Sequence, residues 1–130
     1  MVSDAQEYAY GLSKEILLKP VIEKYVGVKL QDTKRWDSFD FVGENITIEL
    51  KSRKNKKDRY PTTIVGMNKI DKIQEGERVI FMFNFTDGLY CWEYQEDHTF
   101  KTIMIQRRDR RNIKAKPYLS IPIESLTLVE

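Results

Sequence analysis

Apolar and polar residues alternate on both sides of one short turn, within residues 38–51. Successive side chains of a β-strand face opposite sides, so this alternation predicts a β-hairpin with one apolar and one polar face. The turn is centred on residues 43–45 and has a loop of either two or four residues. The predicted apolar face consists of Phe39, Phe41, Ile46, Ile48 and Leu50.

The polar face of this hairpin brings two acidic residues together. Either loop length places Asp40 directly opposite Glu49, where Cβ atoms lie about 5 Å apart and like charges destabilise the pair. A positive group should lie between them: either Lys51, two residues farther along the same face, or a divalent cation. Asp37 is an alternative ligand, but a regular strand would turn it toward the apolar face.

A helix is predicted before the hairpin, from residue 3 to about residue 18, by apolar residues at helical spacing. At about 100° per residue, Glu15 lies at the border of the apolar stripe, whereas Glu7 lies on the far side. Residues 20–25 predict a short second helix that begins with a proline. The stripe, which we expect to face the core, consists of Ala5, Tyr8, Ala9, Leu12 and Ile16.

Several strands and one short helix are predicted after the hairpin. Residues 67–74 fit a short helix, and residues 78–85, RVIFMFNF, fit a central strand buried on both faces. A strand at residues 27–33 precedes the hairpin, so the order of helix, three strands, helix and strand predicts an α+β fold with a mixed sheet. The remaining strands are predicted at residues 89–94, 100–106 and 118–129, the last being an edge strand interrupted by Pro122.

The composition fits one domain and excludes several kinds of active site. With 41% hydrophobic residues, residues 1–130 are long enough for a single domain with its own core. Cys91 and His98 are the only cysteine and histidine, which excludes an internal disulfide, a zinc site and a catalytic triad. No segment is typical of a membrane span or a signal peptide, so we expect an intracellular protein that is not secreted.

The net charge is low but unevenly distributed. The chain carries +2 at neutral pH, whereas residues 51–59 and residues 107–116 each contain six basic residues and one acidic residue. Two basic segments in an otherwise acidic chain indicate a local binding surface for a polyanion such as DNA. The alternative is that both segments are solvated surface loops.

Asp40, an eight-residue spacer and then Glu49-Leu50-Lys51 resemble the core motif of the PD-(D/E)xK nuclease superfamily. The segment Gly11-Leu12-Ser13-Lys14-Glu15 is similar to the G-x-x-x-E helix of its Holliday-junction-resolvase-like members. Phe39 stands where the family name expects proline. The resemblance implies a restriction-endonuclease-like α/β core, in which helices flank a mixed sheet in αβββαβ order, with extra C-terminal strands in this chain.

The same resemblance implies an active site and a cofactor. Asp40 and Glu49, with the backbone carbonyl of Leu50, would bind Mg²⁺ or Mn²⁺. Glu15 would bind a second ion or its water shell, and Lys51 would position the attacking water and stabilise the developing charge. The substrate would be DNA, and a homodimer that cuts both strands would fit small nucleases of this type. The DNA backbone would be contacted by Arg53, Lys54, Lys56, Lys57, Arg59 and Lys69.

Two other functions are compatible with the sequence. A nucleic-acid-binding domain of the same fold without turnover would bind DNA but would not cleave it in the presence of metal. A structural domain that binds other proteins would use Asp40, Glu49 and Lys51 only as an exposed charged surface. An affinity for DNA that falls steeply as the salt concentration rises would distinguish the DNA-binding domain from the structural domain.

Overall fold

The computed structural model describes residues 4–33, 39–106 and 114–130. Within these ranges the α-helices are α1 (Asp4–Val26) and α2 (Met67–Ile70), and short 3₁₀ helices cover Lys57–Arg59 and Ile123–Ser125. The strands are β1 (Gln31–Asp32), β2 (Phe41–Gly43), β3 (Ile46–Ser52), β4 (Thr62–Gly66), β5 (Val79–Phe85), β6 (Gly88–Glu93), β7 (Lys101–Ile105), β8 (Lys116–Pro122) and β9 (Thr127–Leu128).

Six of these strands form a mixed sheet in the order β1-β2-β3-β5-β6-β9. β3 and β5 run parallel, and the other neighbouring strands are antiparallel. The crossover that joins the parallel pair contains β4 and α2. β4, β8 and β7 form a second sheet, in that order and antiparallel throughout. The predicted α+β fold with a mixed sheet is confirmed, and it is consistent with a restriction-endonuclease-like fold.

The predicted central strand, β5, is buried on both faces because each face packs against a different layer. Ile80 and Met82 join a hydrophobic cluster with Ile22 of α1. Phe81 and Phe83 point the other way, into a cluster with residues of the second sheet. A strand covered on both sides needs apolar residues on both faces, which explains the continuous hydrophobic run of residues 79–83; only Asn84, near the end of β5, is polar.

α1 is one continuous helix rather than the two helices predicted. Pro20 lies inside it, where its ring removes one backbone hydrogen bond without ending the helix. Gly27 follows the last residue with φ +77°, and its N–H donates to the carbonyl of Glu23 at 2.8 Å. Glycine adopts this left-handed conformation at little cost, so the helix ends there. Among the described helices, none is long and apolar enough to cross a membrane.

The apolar stripe of α1 that was predicted to face the core is exposed instead. Leu12 and Ile16 are 42% and 69% exposed, and Ala5 and Ala9 are also exposed. The side chain of Tyr8 lies outside the described part of the chain. The helix packs through its C-terminal half, with Leu18, Val21, Ile22 and Val26.

The edge strand predicted over residues 118–129 is two strands, of which β9 does lie at the edge of the mixed sheet. β8 is the central strand of the second sheet, so the prediction is wrong for that part. Its two neighbours are β4 and β7. Pro122 is the last residue of β8 and lies opposite Thr62. Proline lacks a backbone N–H and is tolerated at the end of a strand, so it limits the length of β8 without excluding it from the middle of the sheet.

Candidate active site

The hairpin of β2 and β3 has the shorter of the two predicted loops. Phe41 pairs with Ile48 and Gly43 pairs with Ile46, which leaves Glu44 and Asn45 as a two-residue loop. Asn45 has φ +60°, a conformation that asparagine tolerates better than most residues. This pairing confirms the predicted register for residues 41–48. Asp40 lies just beyond the regular pairing, where its N–H donates to the Ile48 carbonyl at 3.0 Å, and it is near Glu49 rather than directly opposite it.

The carboxylate of Asp40 extends the ladder of β3 beyond the end of β2. Regular pairing stops at Phe41, and Oδ2 of Asp40 then accepts a hydrogen bond from the Leu50 N–H at 2.7 Å. The N–H and C=O of one strand residue point to the same side, so the Leu50 carbonyl faces the same gap. Where β2 ends, the edge of β3 therefore carries the fixed carboxylate of Asp40 beside the carbonyl of Leu50.

Phe39 lies on the opposite face from the one predicted. Its ring is 6.5 Å from that of Phe81, in the cluster that faces the second sheet, whereas Phe41 belongs to the cluster beneath α1. The chain bends at residues 39–40, which breaks the alternation that a regular strand would keep. Thr33 holds this bend, since its hydroxyl donates to the carbonyl oxygens of Phe39 and Asp40.

Glu49 is almost completely buried and lies between two lysines. Its residue is 3% exposed, Oε2 lies 3.1 Å from Nζ of Lys69 and Oε1 lies 3.9 Å from Nζ of Lys51. Within the described part of the chain, Oε2 has no hydrogen bond of regular geometry, so its contact with Lys69 is an ion pair of imperfect alignment. A buried carboxylate oxygen in this state retains the capacity to accept another polar ligand.

Three carboxyl groups meet at this edge of the sheet, with Asp40 in the middle. Asp40 lies in hydrogen-bonding range of Glu15, from α1, and of Glu49, from β3. Burial raises the pKa of Glu15 to about 8, with further contributions from the hydrogen bond and charge of Asp40. Burial and then Asp40 likewise raise the pKa of Glu49 to about 8, although Lys51 and Lys69 oppose that shift.

The donor chemistry of this site fits a hard divalent cation. Across residues 4–33, 39–106 and 114–130, no group of three or more acidic, histidine or cysteine side chains is already arranged to hold a metal ion. The candidate ligands nevertheless offer only carboxylate and carbonyl oxygens, which Mg²⁺ and Mn²⁺ prefer. Crowded acidic groups with raised pKa values are also stabilised when a cation replaces their protons.

Lys69 reaches this site from α2. Its side chain is 19% exposed, and Nζ lies 5.8 Å from the ring centre of Phe39 as well as beside Glu49. The sequence predicts only a DNA contact for Lys69. It does not predict the contact with Glu49, because a residue twenty positions away shows no periodic relation to it. The structure adds the contact with Glu49, and the contact with phosphate stays a prediction.

The basic residues after β3 spread over several surfaces. Lys54 extends toward α1, with Nζ 4.8 Å from the ring centre of Tyr10. Lys57 lies 4.7 Å from the ring centre of Tyr90, and Lys56 is exposed.

Arg53 and Arg59 lie farther toward the second sheet. The guanidinium of Arg53 donates to the carbonyl of Ile64 in β4 at 2.8 Å, and that of Arg59 lies 5.3 Å from the ring centre of Tyr60. Residues 107–113 of the second basic segment and the alternative ligand Asp37 lie outside the described residues.

Comparison with known proteins gives one match. The family model described as "Phage putative PDDEXK endonuclease" matches residues 4–129. No curated protein and no solved structure matches the chain significantly. The family model covers nearly the whole chain, including α1, the hairpin and α2, which are the elements that form the candidate site. The chain therefore belongs to this phage PDDEXK endonuclease family.

Proposed function

We propose that this protein is a metal-dependent nuclease that hydrolyses phosphodiester bonds in DNA. The observation that carries the proposal is the fixed position of the Asp40 carboxylate, held by the Leu50 N–H between Glu15 and the buried Glu49. Like-charged groups held this close cost stability without a compensating cation. Membership of a family of endonucleases supports the same conclusion.

In this proposal Asp40, Glu49 and the Leu50 carbonyl hold Mg²⁺ or Mn²⁺, and Glu15 holds a second ion or its water shell. An ion held by these residues would supply a more acidic water molecule and a positive charge beside the reacting phosphate. Glu49 would bind it as a carboxylate, the charged form that Lys51 and Lys69 favour against the opposing effects of burial and Asp40.

Lys51 is proposed to act on the attacking water and the reacting phosphate. Its side chain is 34% exposed while Nζ remains 3.9 Å from Glu49. It can therefore contact the buried carboxylate and a substrate at the surface. A fixed positive charge at this position orients the water and stabilises the developing negative charge.

The basic segment of residues 51–59 is proposed to hold the DNA backbone without reading the sequence. Lys56 and Arg59 are exposed, whereas Lys54 and Lys57 rest on aromatic rings that orient their ammonium groups. Lys69, beside Glu49, would contact a phosphate next to the scissile bond, and Arg53 would contact a phosphate farther along β3. Contacts to phosphate position a nucleic acid but carry no sequence information directly.

We also propose that residues 1–130 form one domain that acts inside a cell, where its DNA substrate is found. A homodimer that cleaves both strands stays a prediction. Sedimentation of the protein with and without DNA measures the oligomeric state.

Incubation of the purified protein with linear, circular and four-way-junction DNA tests the proposed function. Each DNA is incubated with Mg²⁺, with Mn²⁺ or with EDTA, and the Asp40→Asn variant is tested in parallel. We expect cleavage that needs metal and is lost in the variant. Binding of every DNA without cleavage of any would instead support a non-catalytic DNA-binding domain.

A further inference from the structure

A cleft opens beside the basic segment, between the end of β3 and the second sheet. We call it the side cleft, and it encloses about 470 Å³, within the range of sites that bind small organic groups. Its lining includes Arg53, Lys57, Tyr60, Phe85, Ile103 and Ile105.

The side cleft is too apolar to be explained by phosphate binding alone. Phe85 is buried, and Ile103 and Ile105 extend the apolar wall from β7. Tyr60 is 55% exposed, so its ring is accessible to a ligand. A phosphate gains nothing from apolar walls, whereas the flat face of a nucleic acid base gains from both apolar and aromatic contacts.

The side cleft is linked to the candidate active site by β3. The Arg53 N–H donates to the Asn84 carbonyl at 2.8 Å, so the ladder of β3 and β5 continues to this residue. Glu49, Lys51 and Arg53 alternate onto the same face, with about 7 Å between one and the next. A strand of DNA bound at Lys51 would therefore reach the cleft within a short distance of the reacting phosphate.

We propose that the side cleft binds an unpaired nucleotide of the substrate strand, close to the bond that is cleaved. The base packs against Tyr60 and the isoleucine wall, and the adjoining phosphate pairs with Arg53 or Lys57. A base within a continuous duplex is stacked on its neighbours and cannot enter such a cleft without being unstacked, which costs free energy. The inference rests on the proposed nuclease function and specifies its substrate as DNA with unpaired nucleotides.

Binding measured in a variant that cannot cleave tests this inference separately from catalysis. In the Glu49→Gln background, fluorescence anisotropy compares a continuous duplex, a duplex with a short single-stranded flap, and the same flap with abasic sites. We expect the intact flap to bind most tightly. Since stacking of one base contributes a factor of about 5 to 160 in affinity, Tyr60→Ala should weaken flap binding by that factor and change duplex binding by less than about twofold.

Two further variants separate stacking from other effects. Tyr60→Phe keeps the ring and should bind the flap as the parent does. Tyr25→Ala removes another exposed tyrosine, which lies against Cys91 on the α1 side of the sheet, and should change nothing. If Tyr60→Ala does not fold, Ile103→Glu places a charge in the apolar wall at an exposed position of β7 and should reduce flap binding.

Equal affinity for the intact flap, the abasic flap and the duplex overturns the inference, as does an equal loss on all three in Tyr60→Ala. If the wild-type protein cleaves DNA but shows no preference for unpaired bases, the inference alone fails. If the preference is present and no DNA is cleaved, the proposed nuclease function fails and the nucleotide site remains.

Discussion

Asp40 combines two functions that depend on different properties of its side chain. Its oxygen accepts the Leu50 N–H, which any side-chain carbonyl could do. Burial is the main cause of the raised pKa of Glu15 and of Glu49, and the hydrogen bond and the negative charge of Asp40 add to it. Only an acidic group can contribute that charge. Substitutions at this one residue can therefore separate the structure of the site from its chemistry.

Asp40→Asn should keep the hairpin intact and abolish cleavage. The amide oxygen can still accept the Leu50 N–H, and removal of one negative charge relieves repulsion, so the melting temperature in EDTA at neutral pH should not fall. Asp40→Ala should lack that hydrogen bond and be less stable than Asp40→Asn by about 1 kcal/mol. Thermal unfolding of both variants measures this difference, and a less stable Asp40→Asn than Asp40→Ala would contradict the assigned hydrogen bond.

The pKa values near 8 of Glu15 and Glu49 predict a specific pH dependence of stability. Both groups have ordinary values of 4.5, so between about pH 4.5 and 8 the folded chain binds more protons than the unfolded chain. The free energy of unfolding contributed by these groups is then highest below pH 4.5 and falls as the pH rises to 8. The decrease belongs to the coupled carboxyl groups together rather than to one residue.

Urea unfolding in EDTA between about pH 5 and pH 8 measures this dependence. Glu49→Gln cannot ionise at this position and should lose less stability than the wild type over the same range. Parallel curves for the two proteins would show that Glu49 is already ionised at pH 5 in the folded chain.

At the scale of secondary structure, the sequence predicted best those strands in which each face keeps the same surroundings along its whole length. The hairpin register was predicted because strict alternation of apolar and polar residues fits one pairing of the two strands. β5 was predicted because a run of apolar residues fits a strand that is buried on both faces. The exposed stripe of α1 was mistaken for its packed face, since the helix packs through residues farther along, such as Ile22. Phe39 was assigned to the wrong face because the bend at residues 39–40 leaves no periodic pattern. The contact of Lys69 with Glu49 was not predicted because the two residues lie on distant segments.

The position of α2 predicts a stability effect for Lys69→Met that depends on pH. At about pH 9 Glu49 is largely ionised, and removal of Lys69 deletes one of its two positive neighbours, which should cost on the order of 1 to 2 kcal/mol because the pair is partly buried. At about pH 5.5 Glu49 is protonated and the cost should be much smaller.

Unfolding by urea at both pH values measures this difference. Lys29→Met, at an exposed residue outside the site, provides the control and should respond equally at the two pH values. An equal loss of stability in Lys69→Met at both pH values would indicate that the side chain stabilises α2 by packing rather than by charge.

At the scale of the whole molecule, the site lies where α1, the mixed sheet and α2 meet, and the basic segment leads from it toward the second sheet. The carboxylates lie beside the middle of β3, and the cations lie beyond its C-terminal end. In the proposed function, a DNA strand follows the line between them. The net charge of +2 does not show how the charges are distributed, because acidic residues elsewhere balance the basic segments.

Charge reversal at the exposed basic residues should weaken DNA binding and reduce its dependence on salt. Lys56→Glu combined with Arg59→Glu should lower the slope of log affinity against log salt by about 0.9 for each phosphate that the variant no longer neutralises. Lys24→Glu combined with Lys29→Glu changes the net charge equally at exposed residues outside the basic segment. If both pairs lower the slope equally, the basic segment is only a solvated surface.

The measurement that most directly tests the central claim is the single-turnover rate of DNA cleavage by the wild type, Glu49→Gln and Glu44→Gln. Glu44 is exposed in the turn of the same hairpin, so its substitution makes the same chemical change outside the site. We predict that the wild type and Glu44→Gln cleave in Mg²⁺ or Mn²⁺ but not in EDTA, and that Glu49→Gln is slower by at least about 100-fold. Undiminished cleavage by Glu49→Gln, or cleavage in EDTA, would contradict a metal-dependent active site at Asp40 and Glu49.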